Sequence, residues 1–138
     1  MEITLSRIYL QTTNKATLIS FLTSVFDTEV SIDILGQEFV NVNGIHLYFL
    51  ECDSKTLRIP FSTFTFSVDD AELLGDLKNK IEFYYYRELM HCPEIVLGPQ
   101  SLEFRDPDDN FWKIEFLDCF TQVESAGQNL QVSSSVRI

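Results

Sequence analysis

The feature that most constrains this chain is an internal repeat of one pattern of secondary structure. The pattern is a strand, an amphipathic helix and three further short strands, and it occurs twice within 138 residues. The two copies align when Ile8 is placed on Phe64, because the same shift pairs residues of similar character: Leu10 with Phe66, Asn14 with Asp70, Leu18 with Leu74, and Phe21 with Leu77. The sequence therefore predicts an α+β domain built from two βαβββ units in tandem.

The first copy opens with the strand-like run ITLSRIYLQ, and a helix follows behind Asn14 as its N-cap. Apolar residues recur in this helix at helical spacing, namely Leu18, Phe21, Leu22 and Val25. Three strand-like runs come next: EVSIDIL, EFVNV and IHLYFLE. The pair Asn43-Gly44 between the last two is typical of a two-residue hairpin.

In the second copy, FSTFTFSV alternates as a half-buried strand should. The run DDAELLGDLKNK predicts a short helix with Asp69 as N-cap and Glu72 as its capping-box partner. We expect the last three strands in IEFYYYREL, SLEFRD and FWKIEF, with MHCPEIVLGPQ as a loop. Alternation along the first of these runs predicts two opposite faces: Phe83 with Tyr85, and Tyr84 with Tyr86.

We expect a single domain over residues 1–117, with its two units at about 1–52 and 59–117. Residues 118–138 form a C-terminal extension beyond the repeat. Its end, LQVSSSVRI, has strand propensity, so three alternatives stay open: an extra strand at a sheet edge, a contact with a partner subunit, or a tail without fixed structure.

Net charge and cysteine content indicate which kinds of partner and cellular compartment to expect. The chain carries 10 Lys and Arg against 21 Asp and Glu, a formal net charge of −11, so we expect no nucleic-acid and no membrane partner. Three cysteines without a CxxC pair argue against a disulfide framework and a zinc site. No stretch has the apolar character of a signal peptide or a membrane span. These features predict a cytoplasmic protein with reduced thiols.

The turn FRDPDDN, residues 104–110, resembles the Phe-x-Asp-Pro-Asp-Gly-Asn motif of the vicinal oxygen chelate superfamily. Asp109 stands where glycine is common, and Asp tolerates left-handed backbone angles better than most residues. With the tandem βαβββ units, the motif makes residues 3 to 117 similar to this superfamily, which includes glyoxalases, bleomycin-resistance proteins, fosfomycin-resistance enzymes and extradiol dioxygenases. The resemblance implies that each unit curls a mixed sheet into half of an open barrel-like cleft, and that two such halves enclose the cleft either within one chain or across a dimer. It also implies that the protein is a homodimer.

Within the implied fold, the period of two along each strand assigns side chains to a core face and a cleft face. Ile8 and Leu10 are expected beneath the first helix, and Trp112 and Ile114 in the second core. The side chains expected to bind a small polar ligand in the cleft are Arg7, Tyr9, Gln11, Thr63, Thr65, Arg105, Phe111 and Lys113. Glu103 and Glu115 line the same cleft. The alternative is that these charges pair with one another and bind nothing.

Metal-dependent members of the superfamily hold a divalent ion with His or Glu side chains at four strand positions. The residues that match these positions are Arg7, Leu47, Thr63 and Lys113. Arg and Lys carry a proton, Leu has no donor atom, and a neutral Thr hydroxyl is weak, so we expect no metal and no cofactor. His46 and His91 are expected at the surface or in packing contacts.

Three hypotheses for function follow. The first is a metal-free relative of glyoxalases and bleomycin-resistance proteins that binds or sequesters a small polar molecule. The second is an enzyme of the lyase, isomerase or transferase type without the usual metal, with Glu103 or Glu115 as base and Lys113 or Arg7 stabilising an oxyanion. The third is a non-catalytic interaction module that uses the tyrosine run and the C-terminal extension.

Overall fold

The computed structural model describes residues 3, 7–52, 63–117 and 136–137. The chain divides into two compact units, Met1–Pro60 and Phe61–Ile138. Each unit contains one helix and one mixed sheet, as the repeat predicts. Predictions for the remaining residues, including most of the C-terminal extension and the start of the first strand, lie outside the described residues.

The first unit has five elements in the predicted order. They are β1 (Arg7–Thr12), α1 (Lys15–Val25), β2 (Val30–Ile32), β3 (Glu38–Val42) and β4 (Ile45–Glu51). The strands form one sheet in the order β1-β4-β3-β2, with β1 parallel to β4 and the other pairs antiparallel. The predicted strand EVSIDIL is shorter than expected, because Asp33 N–H donates to the Gln37 carbonyl and closes a turn there.

Helix α1 forms for the reasons that its sequence suggests. The Asn14 side chain accepts a hydrogen bond of 3.2 Å from the Thr17 N–H, which satisfies one donor of the first turn. The helix buries its predicted apolar side chains completely against β3 and β4: Leu18, Phe21, Leu22 and Val25. Each such side chain contributes about 1.5–3 kcal/mol by leaving water.

The β3–β4 hairpin turns at Asn43 and Gly44, as predicted. Both residues have positive φ, 48° and 91°, which the inverted two-residue turn of a hairpin requires. The Asn41 side chain supports the turn by accepting a 2.7 Å hydrogen bond from the Gly44 N–H. This turn sets the register in which β3 and β4 pair.

The second unit repeats the pattern with longer connections. Its elements are β5 (Thr63–Val68), α2 (Glu72–Arg87), β6 (Val96–Leu97), β7 (Ser101–Arg105) and β8 (Phe111–Phe116). Strand β8 is parallel to β5 and antiparallel to β7, and β6 pairs with β7 at the edge. The two-residue strand β9 (Val136–Arg137) lies parallel to β5 on its other side. Of the three alternatives for the C-terminal end, these two residues take the sheet edge.

The prediction that IEFYYYREL is a strand is wrong, since these residues continue α2 to Arg87. The cause is burial at helical spacing, which outweighs the strand propensity of the aromatic residues. The buried side chains of this helix are Leu74, Leu77, Ile81, Tyr84 and Tyr85. The predicted faces of the tyrosine run are therefore also wrong: Tyr84 and Tyr85 are buried, whereas Phe83 and Tyr86 are exposed.

The start of α2 also differs from the prediction. Glu72 is the first helical residue, and the Asp70 carboxylate, not Asp69, accepts its N–H at 3.0 Å. Asp70 is the residue that the internal repeat aligns with Asn14, and each of these side chains accepts a backbone N–H at the start of its helix, from Glu72 and Thr17 respectively. With α2 extended, the missing strand of the second unit is β6, inside the segment predicted as a loop. No helix in the described part of the chain is long and apolar enough to cross a membrane.

Candidate functional site

Each sheet has one face covered by its helix and one face that carries polar and aromatic side chains. In the first sheet, Arg7, Tyr9 and Gln11 lie together on the face that the helix does not cover. The register of the strand pairs therefore agrees with the assignment by alternation. We call this surface the first open face, and the equivalent surface of the second sheet the second open face. The second open face holds the other candidates: Thr63, Thr65, Glu103, Arg105, Phe111, Lys113 and Glu115.

The prediction for β4 was wrong at Leu47. This residue pairs with Ile8 and is fully buried on the helix side of the sheet. His46 and Tyr48 are the β4 residues on the first open face, because they pair with Arg7 and Tyr9. The expectation for His46 was right in part, since its ring packs on Phe39 at a centroid distance of 4.6 Å.

A row of aromatic rings crosses the first open face from β3 to β1. The Phe39 ring stacks on Tyr48 at 5.2 Å, and Tyr48 meets Tyr9 at 5.3 Å. Tyr48 is only 3% exposed, whereas Tyr9 keeps 43% of its surface accessible. Phe39 and Tyr48 are not among the site residues predicted from the sequence, although the hairpin at Asn43-Gly44 and the alternation along β3 and β4 place both on this face.

The Arg7 guanidinium lies over this row. Its Cζ atom is 4.7 Å from the Tyr48 ring centroid, and Nη1 donates a 3.4 Å hydrogen bond to the Tyr9 hydroxyl. That hydrogen bond and the nearby Tyr48 hydroxyl raise the pKa of Arg7 above its usual value, so the charge is permanent. Among the described residues no carboxylate lies within ion-pair distance of Arg7.

Asp33 holds the ring row in place from the β2–β3 turn. Its Oδ2 accepts a 2.9 Å hydrogen bond from the Tyr48 hydroxyl, and its Oδ1 accepts the N–H groups of Leu35 and Gln37. The hydrogen bond from the Gln37 N–H, followed by those from Tyr48 and Leu35, lowers the pKa of Asp33. Burial, and then the hydrogen bond to Asp33, raises the pKa of Tyr48. The two groups therefore stay as carboxylate and neutral phenol.

On the second open face, Lys113 occupies the centre of β8. Its Nζ atom lies 3.3 Å from Oε1 of Glu115, and about a third of each side chain is exposed, 35% and 30%. Glu103 lies directly across from Lys113 on β7, yet its carboxylate forms no ion pair with any described residue. The predicted pairing of charges therefore holds for Lys113 with Glu115 and not for Glu103.

Arg105 lies at the end of β7 on the second open face. Its Nη1 donates a 3.0 Å hydrogen bond to the Asp109 carbonyl, and its guanidinium lies 5.6 Å from the centroid of the Phe111 ring. These contacts hold Arg105 against the end of the β7–β8 hairpin.

Two pockets flank the central lysine within the second unit. One, of about 250 Å³, is lined by Gln100, Ser101, Lys113, Glu115, Phe116 and Leu117. The other, of about 220 Å³, is lined by Glu94, Val96, Glu103, Phe104, Arg105 and Phe111. Glu94 and Val96 are not among the site residues predicted from the sequence, because they belong to the segment that was expected to be a loop.

The FRDPDDN turn joins β7 to β8, the two strands that carry most residues of the second open face. Asp106 is 1% exposed, and its Oδ1 accepts the N–H groups of Asp108 and Asn110. Its Oδ2 accepts hydrogen bonds from the Asn110 side chain and the Trp112 indole, each 2.9 Å long. Burial raises the pKa of Asp106, while these hydrogen bonds act in the opposite direction. Asp109 adopts the expected positive φ, 66°. The motif thus builds the hairpin that positions β8.

The resemblance to the superfamily matches four positions of this chain with metal ligands, and the structure shows on which face of its sheet each of these side chains lies. Leu47 is buried in the first sheet, while Arg7 and the paired residue His46 lie on the first open face, and Thr63 and Lys113 lie on the second open face. Of these, only His46 offers a good lone pair to a metal, and Phe39 stacks on its ring. No three His, Cys, Asp or Glu side chains in the described ranges form a group that could hold a metal ion.

The sequence matches no protein-family model and no curated protein, whereas many solved structures share its fold. A variant of FosX, a fosfomycin resistance protein of Listeria monocytogenes in complex with Mn(II) and dihydroxypropylphosphonic acid, matches with a TM-score of 0.63 and 19% identity, covering 89% of this chain and 99% of that one. The lactoylglutathione lyase of Agrobacterium tumefaciens matches with 0.56 and 17%, covering 80% and 90%. An integron cassette protein of V. cholerae matches with 0.57 and 20%, covering 86% and 98%.

These similarities identify the fold. The chain shares the α+β fold of these solved structures, which is that of the vicinal oxygen chelate superfamily, and builds it from two units of one helix and one mixed sheet each. The predicted fold class is confirmed.

Proposed function

We propose that the protein binds a small polar organic molecule on its open faces, without chemical turnover and without the metal of its structural relatives. The observation that carries this proposal is the place of Lys113. Its ammonium group, paired with Glu115, borders a pocket of about 250 Å³, and the resemblance to the superfamily matches this residue with a metal ligand. A fixed cation beside a pocket suits recognition of a polar ligand group.

The structural relatives support the proposal that a small polar ligand binds. They do not support the proposal that no metal binds, which depends on the side chains of this chain. The FosX structure contains Mn(II) and a phosphonic acid, so this fold accommodates small polar ligands. Within the second unit, the ammonium group of Lys113 would repel a divalent ion at that position. In keeping with the resemblance, we also propose that the protein is a cytoplasmic homodimer.

Native mass spectrometry of the purified protein, with and without added manganese, nickel and zinc, tests the proposal. We expect a metal-free species whose mass includes a co-purified organic ligand. A stoichiometric, tightly held ion would overturn the metal-free reading. The same spectrum reports whether the protein is a dimer.

The matched variants Lys113→Met and Lys78→Met test the site. Lys78 also forms a carboxylate ion pair of similar exposure, 3.1 Å from Glu82, but on helix α2. We expect Lys113→Met to lose the bound ligand and Lys78→Met to retain it. Equal binding by both variants would contradict a role for Lys113.

The position of Glu103 favours a second candidate function, a metal-independent isomerase or lyase. Its carboxylate lies opposite Lys113 and outside any ion pair with described residues, as a general base next to an electrophilic ammonium group requires. Glu115, which is paired with Lys113, is the poorer base. For this candidate we expect Glu103→Gln to retain ligand binding and to lose turnover, measured as conversion of the co-purified ligand.

A further inference from the structure

The first open face carries a cation with unused hydrogen-bonding capacity. The Arg7 guanidinium has five N–H donors, and its hydrogen bond within the described region is the one from Nη1 to the Tyr9 hydroxyl. Because Tyr9 accepts that bond, its own O–H remains available as a donor beside the same guanidinium. Two kinds of donor therefore converge at one point of the surface. A carboxylate has two oxygens that match such a pair.

Charge balance favours a monoanion over a dianion at Arg7. Arg7 supplies one positive charge, and the Asp33 carboxylate interacts with it through space without forming an ion pair, within a chain of formal net charge −11. A dianion would leave one negative charge uncompensated in this field, which opposes its binding. An aliphatic or aromatic monocarboxylate carries a single negative charge, equal and opposite to that of Arg7.

The surroundings of Arg7 favour an aromatic ligand. The ring row of His46, Phe39, Tyr48 and Tyr9 leads to the guanidinium, and Tyr9 is the member next to Arg7 that remains 43% exposed. The Tyr48 ring contacts the Tyr9 ring and restrains its orientation. An aromatic ligand ring that lies on Tyr9 gains a stacking contact with it. An aliphatic acid gains less from the same surface.

We propose that the first open face binds an aromatic monocarboxylate, with its carboxylate on the Arg7 guanidinium and the Tyr9 hydroxyl and its ring against Tyr9. This inference rests on the proposed function, because it names the ligand class of one of the proposed binding faces. It adds the chemical identity of the ligand and the residues that select it.

The test titrates the full-length protein with benzoate and follows backbone and side-chain resonances by NMR. Benzamide replaces the anion with a neutral group, and cyclohexanecarboxylate replaces the aromatic ring. We expect saturable shifts at Arg7 and Tyr9 with benzoate, binding at least about tenfold weaker for benzamide, and intermediate binding for the cyclohexane acid. Inorganic phosphate should not compete with benzoate. Equal affinity for benzoate and benzamide would overturn the proposal.

Three variants separate the contributions. Arg7→Met should weaken benzoate binding at least about tenfold, and Tyr9→Phe should weaken it less, because it keeps the ring and removes only the O–H donor. Lys78→Met, on helix α2 and outside the proposed site, should leave benzoate affinity unchanged. Loss of the co-purified ligand in Lys113→Met, together with no response of Arg7 to benzoate, would overturn this inference and leave the proposed function standing. Resonances at Arg7 that shift with protein concentration alone would show a protein contact on this face and would also overturn it.

Discussion

The indole N–H of Trp112 donates a 2.9 Å hydrogen bond to the buried carboxylate of Asp106. This bond joins the hairpin turn to the core, because Trp112 is fully buried and its ring stacks on Phe66 and Phe104. The turn motif therefore contributes to stability through a side chain that also accepts three other hydrogen bonds. The position of β8, which carries Lys113, depends on the same contacts.

Asp106→Asn should destabilise the protein by about 2–4 kcal/mol, since the new NH₂ group faces donors where the carboxylate offered an acceptor. Urea unfolding followed by the fluorescence of Trp112, the only tryptophan of the chain, measures the loss. Asp109→Asn is the matched control, because Asn tolerates the positive φ at that exposed position, and it should change stability by less than about 0.5 kcal/mol. Equal effects of the two substitutions would contradict the role of Asp106.

Tyr85→Phe should cost about 0.5–1.5 kcal/mol, because the buried Tyr85 hydroxyl donates a 3.1 Å hydrogen bond to the Arg105 carbonyl. The control is Tyr86→Phe at the next position, where the side chain is 78% exposed and the change should be within about 0.5 kcal/mol. Thermal or urea unfolding distinguishes the two. A larger loss for Tyr86→Phe would contradict the helical assignment of this segment.

Lys113→Met should change the free energy of unfolding by no more than about 1 kcal/mol, because the ion pair with Glu115 is a third exposed and solvent screens it. Urea unfolding of the variant and the wild type checks this value. A loss of several kcal/mol would mean that the charges of the second open face form a structural network. In that case the weakened ligand binding expected of this variant would not be evidence for a binding site.

Asp33 should stabilise the first unit in a pH-dependent manner. Its folded-state pKa lies below the ordinary value of 3.8, so the stabilisation is complete above that value and disappears as pH falls through the lower, folded pKa. We expect wild type to melt at a higher temperature than Asp33→Asn at about pH 6, and this difference to shrink toward about pH 2.5. A difference that grows on acidification would contradict the lowered pKa.

Several features of the site could be predicted from the sequence because they depend on local periodicity. Alternation along β1, β5 and β8 assigned Arg7, Tyr9, Thr65 and Lys113 to the open faces, and the strand register agrees. The same reasoning failed at Leu47, because it needed the register between β1 and β4, which is a contact between distant segments. Correcting it brings Tyr48 and His46 beside Arg7.

The sequence by itself determined the repeat of two βαβββ units, the cap of the first helix, the Asn43-Gly44 hairpin and the buried stripe of α1, because each follows from neighbouring residues. Only the tertiary structure decided the end of α2, since the aromatic run became helical by burying Tyr84 and Tyr85. It also decided that Lys113 pairs with Glu115 along its own strand and not with Glu103 across the sheet. Both neighbours were within reach, and side-chain geometry, which alternation does not specify, selected one.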